Sequence, residues 1–183
     1  SNVPYFTRTY TSFWIEYQFW QLEPHGYHLV NVLLHALSAF VFWHILKLLQ
    51  APGAWFIALV FAMHPIHVES VAWITERKNT LSCFLYLLAL LSYLQFYFRG
   101  RRRYLALSYL GYTLALTAKT ITCSLPVVLL VIMWWKQSRL TAQNLMSLIP
   151  FFLIGVPLAL YTASFEQYAM GALGSHWDLT FWQ

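Results

Sequence analysis

Between Met63 and Asn79 the chain reads His64-Pro65-Ile66-His67-Val68-Glu69-Ser70 and then Glu76-Arg77-Lys78, its densest cluster of mixed polar side chains. An imidazole can carry a proton or bind a metal, a carboxylate can act as a general base, and adjacent cations can hold a phosphate. One reading is an outward pocket in which Glu69 or a histidine handles a proton or a metal while Arg77 and Lys78 hold a phosphate. The other is an interfacial loop in which Glu76 pairs with neighbouring bases and the histidines cap helix ends. His64 and His67 are not spaced as in the zinc-binding helix motif, whose histidines stand four apart, so the run is a weak metal signature.

A further cation, Lys119, sits in Ala118-Lys119-Thr120 with no carboxylate near it in sequence. A helix starting at Tyr104 and rising about 1.5 Å per residue brings it about 22 Å along, to the rim of a bilayer. There it meets a lipid phosphate or snorkels to water. His28, Asn31, His35 and Ser38 recur on one helical face and are expected to look into a helix bundle, hydrogen-bonding across it. Arg99-Gly100-Arg101-Arg102-Arg103 suits either anionic lipid heads or the control of membrane topology.

These groups must be positioned by very apolar elements. The 183 residues are 60% hydrophobic and only 9% charged, against about 45 to 50% and about 25% in soluble domains. Lipid must therefore cover much of the surface, and the aromatic residues crowding the ends of apolar runs form an interface belt. The bases are few and lie between apolar spans, so the net charge of +5 does not point to nucleic acid. Cys83 and Cys123 lie in or beside apolar runs and imply no disulfide.

Leu29 to Leu49, Leu81 to Phe98 and Leu145 to Ala163 are long enough to cross a bilayer, which takes about 20 helical residues. Ala54 to Met63, Tyr104 to Ala118 and Ile121 to Trp135 are shorter and need extension or shelter within the protein. If all six cross, Lys47, Arg99, Arg101, Arg102, Arg103, Lys136 and Arg139 share one side, with Arg8, Arg77, Lys78 and Lys119 on the other. The first side is then cytoplasmic. Glu16, Glu23, Glu69, Glu76, Glu166 and Asp178 all fall outside, as do both chain ends. Ahead of the first span, Tyr10, Phe13, Trp14, Tyr17 and Trp20 recur at helical spacing with Arg8 and Glu16 off that face, as in a helix lying on the outer surface.

The expected architecture is thus an all-α, polytopic transmembrane bundle of about six spans with an outer-face interfacial helix. Residues 1–26 form the interfacial segment, 27–163 the six spans, and 164–183 an outer tail leading toward a further span.

The stretch Gly26-Tyr27-His28-Leu29-Val30-Asn31, continuing through Leu33-Leu34-His35-Ala36, is similar to the second span of multi-spanning glycosyltransferases that carry C-terminal tetratricopeptide repeats. The run from His64 to Trp73, with Glu76-Arg77-Lys78, looks like the outward loop of their bacterial members, and Ala118-Lys119 with Pro126 like their later span pair. The chain therefore resembles the transmembrane O-mannosyltransferases with tetratricopeptide repeats, within the C superfamily of glycosyltransferases.

That resemblance implies transfer of a sugar, often mannose, from a polyprenyl-phosphate donor to a protein acceptor's hydroxyl at the outer face. Arg77, Lys78 and Lys119 become candidates for the lipid phosphate, Glu69 the catalytic candidate, and His64 and His67 candidates for positioning the acceptor or a metal, with a divalent metal as candidate cofactor. The family's usual base is an acidic residue in the first outward loop, expected upstream of Ser1. The chain is accordingly expected to be a fragment without the family's first span and repeats, inactive alone. Its expected home is a membrane, a bacterial inner membrane in preference to the endoplasmic reticulum. The competing reading is a non-enzymatic polytopic protein, transporter-like or an assembly subunit, whose polar groups line a path at mid-membrane.

Overall fold

A computed structural model describes residues 7–21, 23–136 and 142–169. Every regular element among them is helical: α1 (Thr7–Trp20), α2 (Pro24–Leu48), α3 (Ala54–Met63), α4 (Val68–Ala72), α5 (Arg77–Arg99), α6 (Arg102–Ala118), α7 (Leu125–Lys136) and α8 (Ala142–Ala169). Short 3₁₀ turns at Pro65–His67, Ile74–Glu76 and Thr120–Ser124 link α3 to α4, α4 to α5 and α6 to α7. An all-helical build is what lipid demands, because helices satisfy their backbone hydrogen bonds within one segment.

Glycine and proline place the breaks. Pro24 opens α2, where its missing N–H costs nothing. Gly53 and Gly100 take positive φ, +68° and +67°, allowing the tight turns after α2 and α5. Pro65 cannot continue the ladder, so α3 stops at Met63. Pro150 and Pro157 lie inside α8, as membrane helices tolerate.

Three described helical segments are long and apolar enough to cross a membrane: Pro24–Leu48, Ile74–Arg99 and Asn144–Thr162. A fourth is available if Ala54–Met63 and Pro65–Ala72, bent by 46° at their junction, count as one broken span. The apolar helix Thr120–Lys136 is shorter, and α6 carries Arg102 and Arg103 in its first turn. The expected short runs are therefore helices, one of them bent at Pro65, and α8 runs beyond the expected end of the last span to Ala169.

The core lies among α2, α5, α6, α7 and α8. Phe151 is fully buried, its ring 5.8 Å from Tyr93, 4.8 Å from Tyr109 and 5.0 Å from Tyr112. Tyr93 shares a hydrogen with Ser147 Oγ at 2.7 Å, and Tyr109 donates to the Ser147 carbonyl at 2.8 Å. The pair α5–α6 is close because small residues meet there: Ser108 donates to the Ala89 carbonyl at 2.7 Å, and a methyl on Gly111 would stand 3.2 Å from the Ala89 side chain. Large apolar side chains such as Leu33, Phe40, Trp55, Phe56 and Leu153 point outward, an arrangement suited to lipid.

Charges sort to the two ends of the bundle. Arg77, Lys78, Lys119, Glu16 and Glu76 gather where α2 and α5 begin and α6 ends. At the other end Lys136 donates to the Leu49 carbonyl, near the arginine-rich turn from α5 to α6. The side chains of Arg8, Arg139, Glu166 and Asp178, and the tail beyond Ala169, lie outside what the structure describes.

Candidate functional site

The polar stripe of α2 does face the bundle, and what it meets is broken backbone. Where α3 ends, His35 Nε2 bonds the Ala62 carbonyl at 3.0 Å. Where α4 gives way to the next turn, the Asn31 amide donates to the carbonyls of Trp73 at 3.1 Å and Val71 at 3.4 Å. Irregular backbone in apolar surroundings is tolerated only when its polar groups find such partners. Ser38 turns back on its own helix, donating to Leu34.

Asn31 also accepts from Arg77, the first residue of α5. That guanidinium is fully buried and grips both Glu16 carboxylate oxygens, while also donating to the Tyr27 carbonyl at 2.9 Å. The Phe13 ring lies 5.2 Å from its centre. Removing both charges from water costs several kcal/mol per ion, offset only when the hydrogen-bond set is this complete. Arg77 is therefore engaged in joining α1, α2 and α5 instead of facing a ligand. The same contact reverses the expected aspect of α1: Glu16 points inward at 8% exposure, while Trp14 and Tyr17 stand out at 66% and 49%.

Beside this junction a cavity of about 650 Å³ opens between α2, the bent segment, α5 and the turn after α6. His67, Ser70, Asn79 and Lys119 line its polar part, and Cys83 and Tyr86 its apolar part. Lys119 reaches it because α6 ends in an extended residue, φ −158° and ψ 126°, that swings the side chain across to α5. Its ammonium donates to Asn79 Oδ1 at 2.6 Å. The Asn79 amide in turn donates to Ser70 Oγ at 3.3 Å and to Glu76, whose other oxygen stands 3.6 Å from Lys78 Nζ. Lys119 thus holds its charge with a neutral partner, on the wall of a space lined mostly by apolar surface.

The other candidates divide. His67 lines the cavity, its ring 5.0 Å from His35 and 4.6 Å from Phe61. His64 caps the turn after α3, its Nδ1 accepting from the Ile66 amide at 3.2 Å. Glu69 is exposed in the first turn of α4. Among the described residues no group of three His, Cys, Asp or Glu side chains is arranged to hold a metal. Glu16 and Asn79 escaped the sequence reading; the one available signal for Glu16 was a carboxylate off the aromatic face of its helix.

No family model and no solved structure matches the chain. Curated relatives do. Protein O-mannosyl-transferase tmtc2 of Xenopus laevis is 43% identical over 86 residues, 46% of this chain and 10% of that protein. Protein O-mannosyl-transferase TMTC3 of Homo sapiens is 36% identical over 94 residues, 51% of this chain and 10% of that protein. Protein O-mannosyl-transferase Tmtc1 of Drosophila melanogaster is 39% identical over 84 residues, 45% of this chain and 10% of that protein. The matched stretch is thus about a tenth of each relative's length. These relatives are eukaryotic and give the expectation of a bacterial inner membrane no support. Over about half its length, the chain is similar to the protein O-mannosyl-transferases of the TMTC family.

Proposed function

We propose that the chain is part of the membrane domain of a protein O-mannosyltransferase that moves mannose from a polyprenyl-phosphate donor to a protein hydroxyl at the outer face. The observation that carries this is Lys119, held by Asn79 on the wall of a cavity whose lining surface is mostly apolar. A polyprenyl-phosphate sugar has the same division, an anionic head on an apolar chain.

As the bond from sugar to phosphate breaks, negative charge grows on the departing lipid phosphate, and a fixed ammonium stabilises that charge more than it stabilises the bound donor. Lys119 has that role, with Lys78 as the neighbouring cation. A carboxylate takes the acceptor proton; Glu69, next in sequence to the cavity-lining Ser70, is the candidate among the described residues. His67 and His64 orient the acceptor.

The proposal includes six crossings, with the turn bearing Arg101 in the cytoplasm and the loop bearing His67 outside. The sorting of charges to opposite ends of the bundle supports it. The test is to supply the full-length parent with polyprenyl-phosphate mannose and an acceptor protein. Lys119→Ala should lower turnover by about a hundredfold. Turnover unchanged in both Lys119→Ala and Glu69→Gln would remove this site from the reaction.

A further inference from the structure

At the opposite, arginine-rich end lies a second polar cavity, of about 560 Å³, between the end of α5 and the starts of α6 and α8. Arg102 and Asn144 line it, with Tyr97 and Leu105 as part of its wall. Among the described residues the buried Tyr97 hydroxyl has no partner, while Arg102 is exposed and Asn144 half-buried where they line the cavity. A buried hydroxyl without a partner is uncommon, because leaving it unbonded costs about 1–3 kcal/mol.

Among the described residues the charges of this turn have one sign. Arg99, Arg101 and Arg103 are close neighbours of Arg102 in sequence, and Arg102 stands at the start of α6, where the helix dipole also favours an anion. The carboxylates of Glu16, Glu23, Glu69 and Glu76 belong to the other end of the bundle. Arg103 is turned aside onto Tyr104, donating to its hydroxyl at 3.3 Å, which leaves Arg102 as the arginine of the cavity itself.

We propose that this cavity binds a phosphate group, with Arg102 and Asn144 as its donors and the Tyr97 hydroxyl as a further partner reached by a small shift of its ring. The aromatic and aliphatic wall suits the phosphate of a membrane lipid, whose tails run alongside α5 and α6. A free phosphate compound offers the same head without tails. The site is separate from the Lys119 cavity and does not depend on the mannosyl-transfer reading.

The full-length parent would be placed in nanodiscs of phosphatidylcholine containing a minority of phosphatidic acid, then released and weighed by native mass spectrometry. One retained phosphatidic acid is expected, with retention reduced about fivefold or more in both Arg102→Gln and Asn144→Ala and unchanged in Lys47→Gln, a cation at the same end. In a second arm, inorganic phosphate is titrated in detergent; binding there that is lost in the two cavity variants, without lipid retention, also supports the site and assigns it to a soluble phosphate. Equal retention in wild type and both cavity variants, an equal loss in Lys47→Gln, or no binding of either probe would overturn the proposal. Unfolding temperatures recorded alongside separate loss of binding from loss of fold.

Discussion

Arg77 and Glu16, 61 residues apart in sequence, form a two-pronged ion pair inside the protein, with the guanidinium fully buried. The pair holds α1 against the start of α5, and through Asn31 it reaches the backbone between α4 and α5. Arginine suits this place because its planar fork can meet a carboxylate, an amide oxygen and a carbonyl together.

Removing one partner should therefore be worse than removing both. Glu16→Gln leaves a buried cation without its counter-charge and should destabilise the parent protein by about 3 kcal/mol or more. The double variant Glu16→Gln/Arg77→Met should recover part of that loss. Thermal unfolding in one detergent checks this; a double variant no better than the sum of its singles would show that the charges are not coupled.

Tyr112 and Gly155 make a second, steric pair. A methyl group built on Gly155 would collide with the Tyr112 hydroxyl oxygen, which is buried without a partner among the described residues. Gly155→Ala should cost about 1–3 kcal/mol as α8 is pushed off α6, outweighing alanine's better helix propensity. Tyr112→Phe removes the obstructing oxygen, so Gly155→Ala should be much milder in that background. An identical cost in both backgrounds would refute the contact.

The Lys119–Asn79 bond implies that these residues act as a unit in the proposed reaction. Asn79→Leu should lower turnover nearly as far as Lys119→Ala, and the double variant should be little worse than either. Lys119→Arg keeps the charge without the geometry and should fall between. Multiplying losses in the double variant would mean that the two residues contribute independently.

Crossing number is testable by labelling. Single cysteines placed at Arg101 and at Ile66, with Cys83 and Cys123 replaced by alanine, should react with a membrane-impermeant thiol reagent from opposite faces of sealed vesicles. Reaction of both from one face would exclude an α5 that crosses the membrane between them.

Much of the bundle was legible in the chain. Apolar runs of sufficient length marked α2, α5 and α8, because transfer into lipid depends on composition along the chain and requires no tertiary partner. The stripe Asn31, His35 and Ser38 disclosed the inward side of α2 by periodicity alone. A resemblance to the transmembrane O-mannosyltransferases was also read from local motifs such as the His-Pro-x-His-x-Glu run, and proteins of that name match about half the chain at 36–44% identity.

Which ionic groups are available was decided only in three dimensions. Arg77 and Lys78 are neighbours with equal formal charge, yet one lies fully buried against Glu16 and Asn31 while the other stands beside Glu76 at the surface. Lys119 acquired its partner from α5, 40 residues away. Local sequence sets residue type and helical phase, but pairing among distant charges depends on how helices pack, because Coulomb and hydrogen-bond energies are fixed by separation in space and by the exclusion of water.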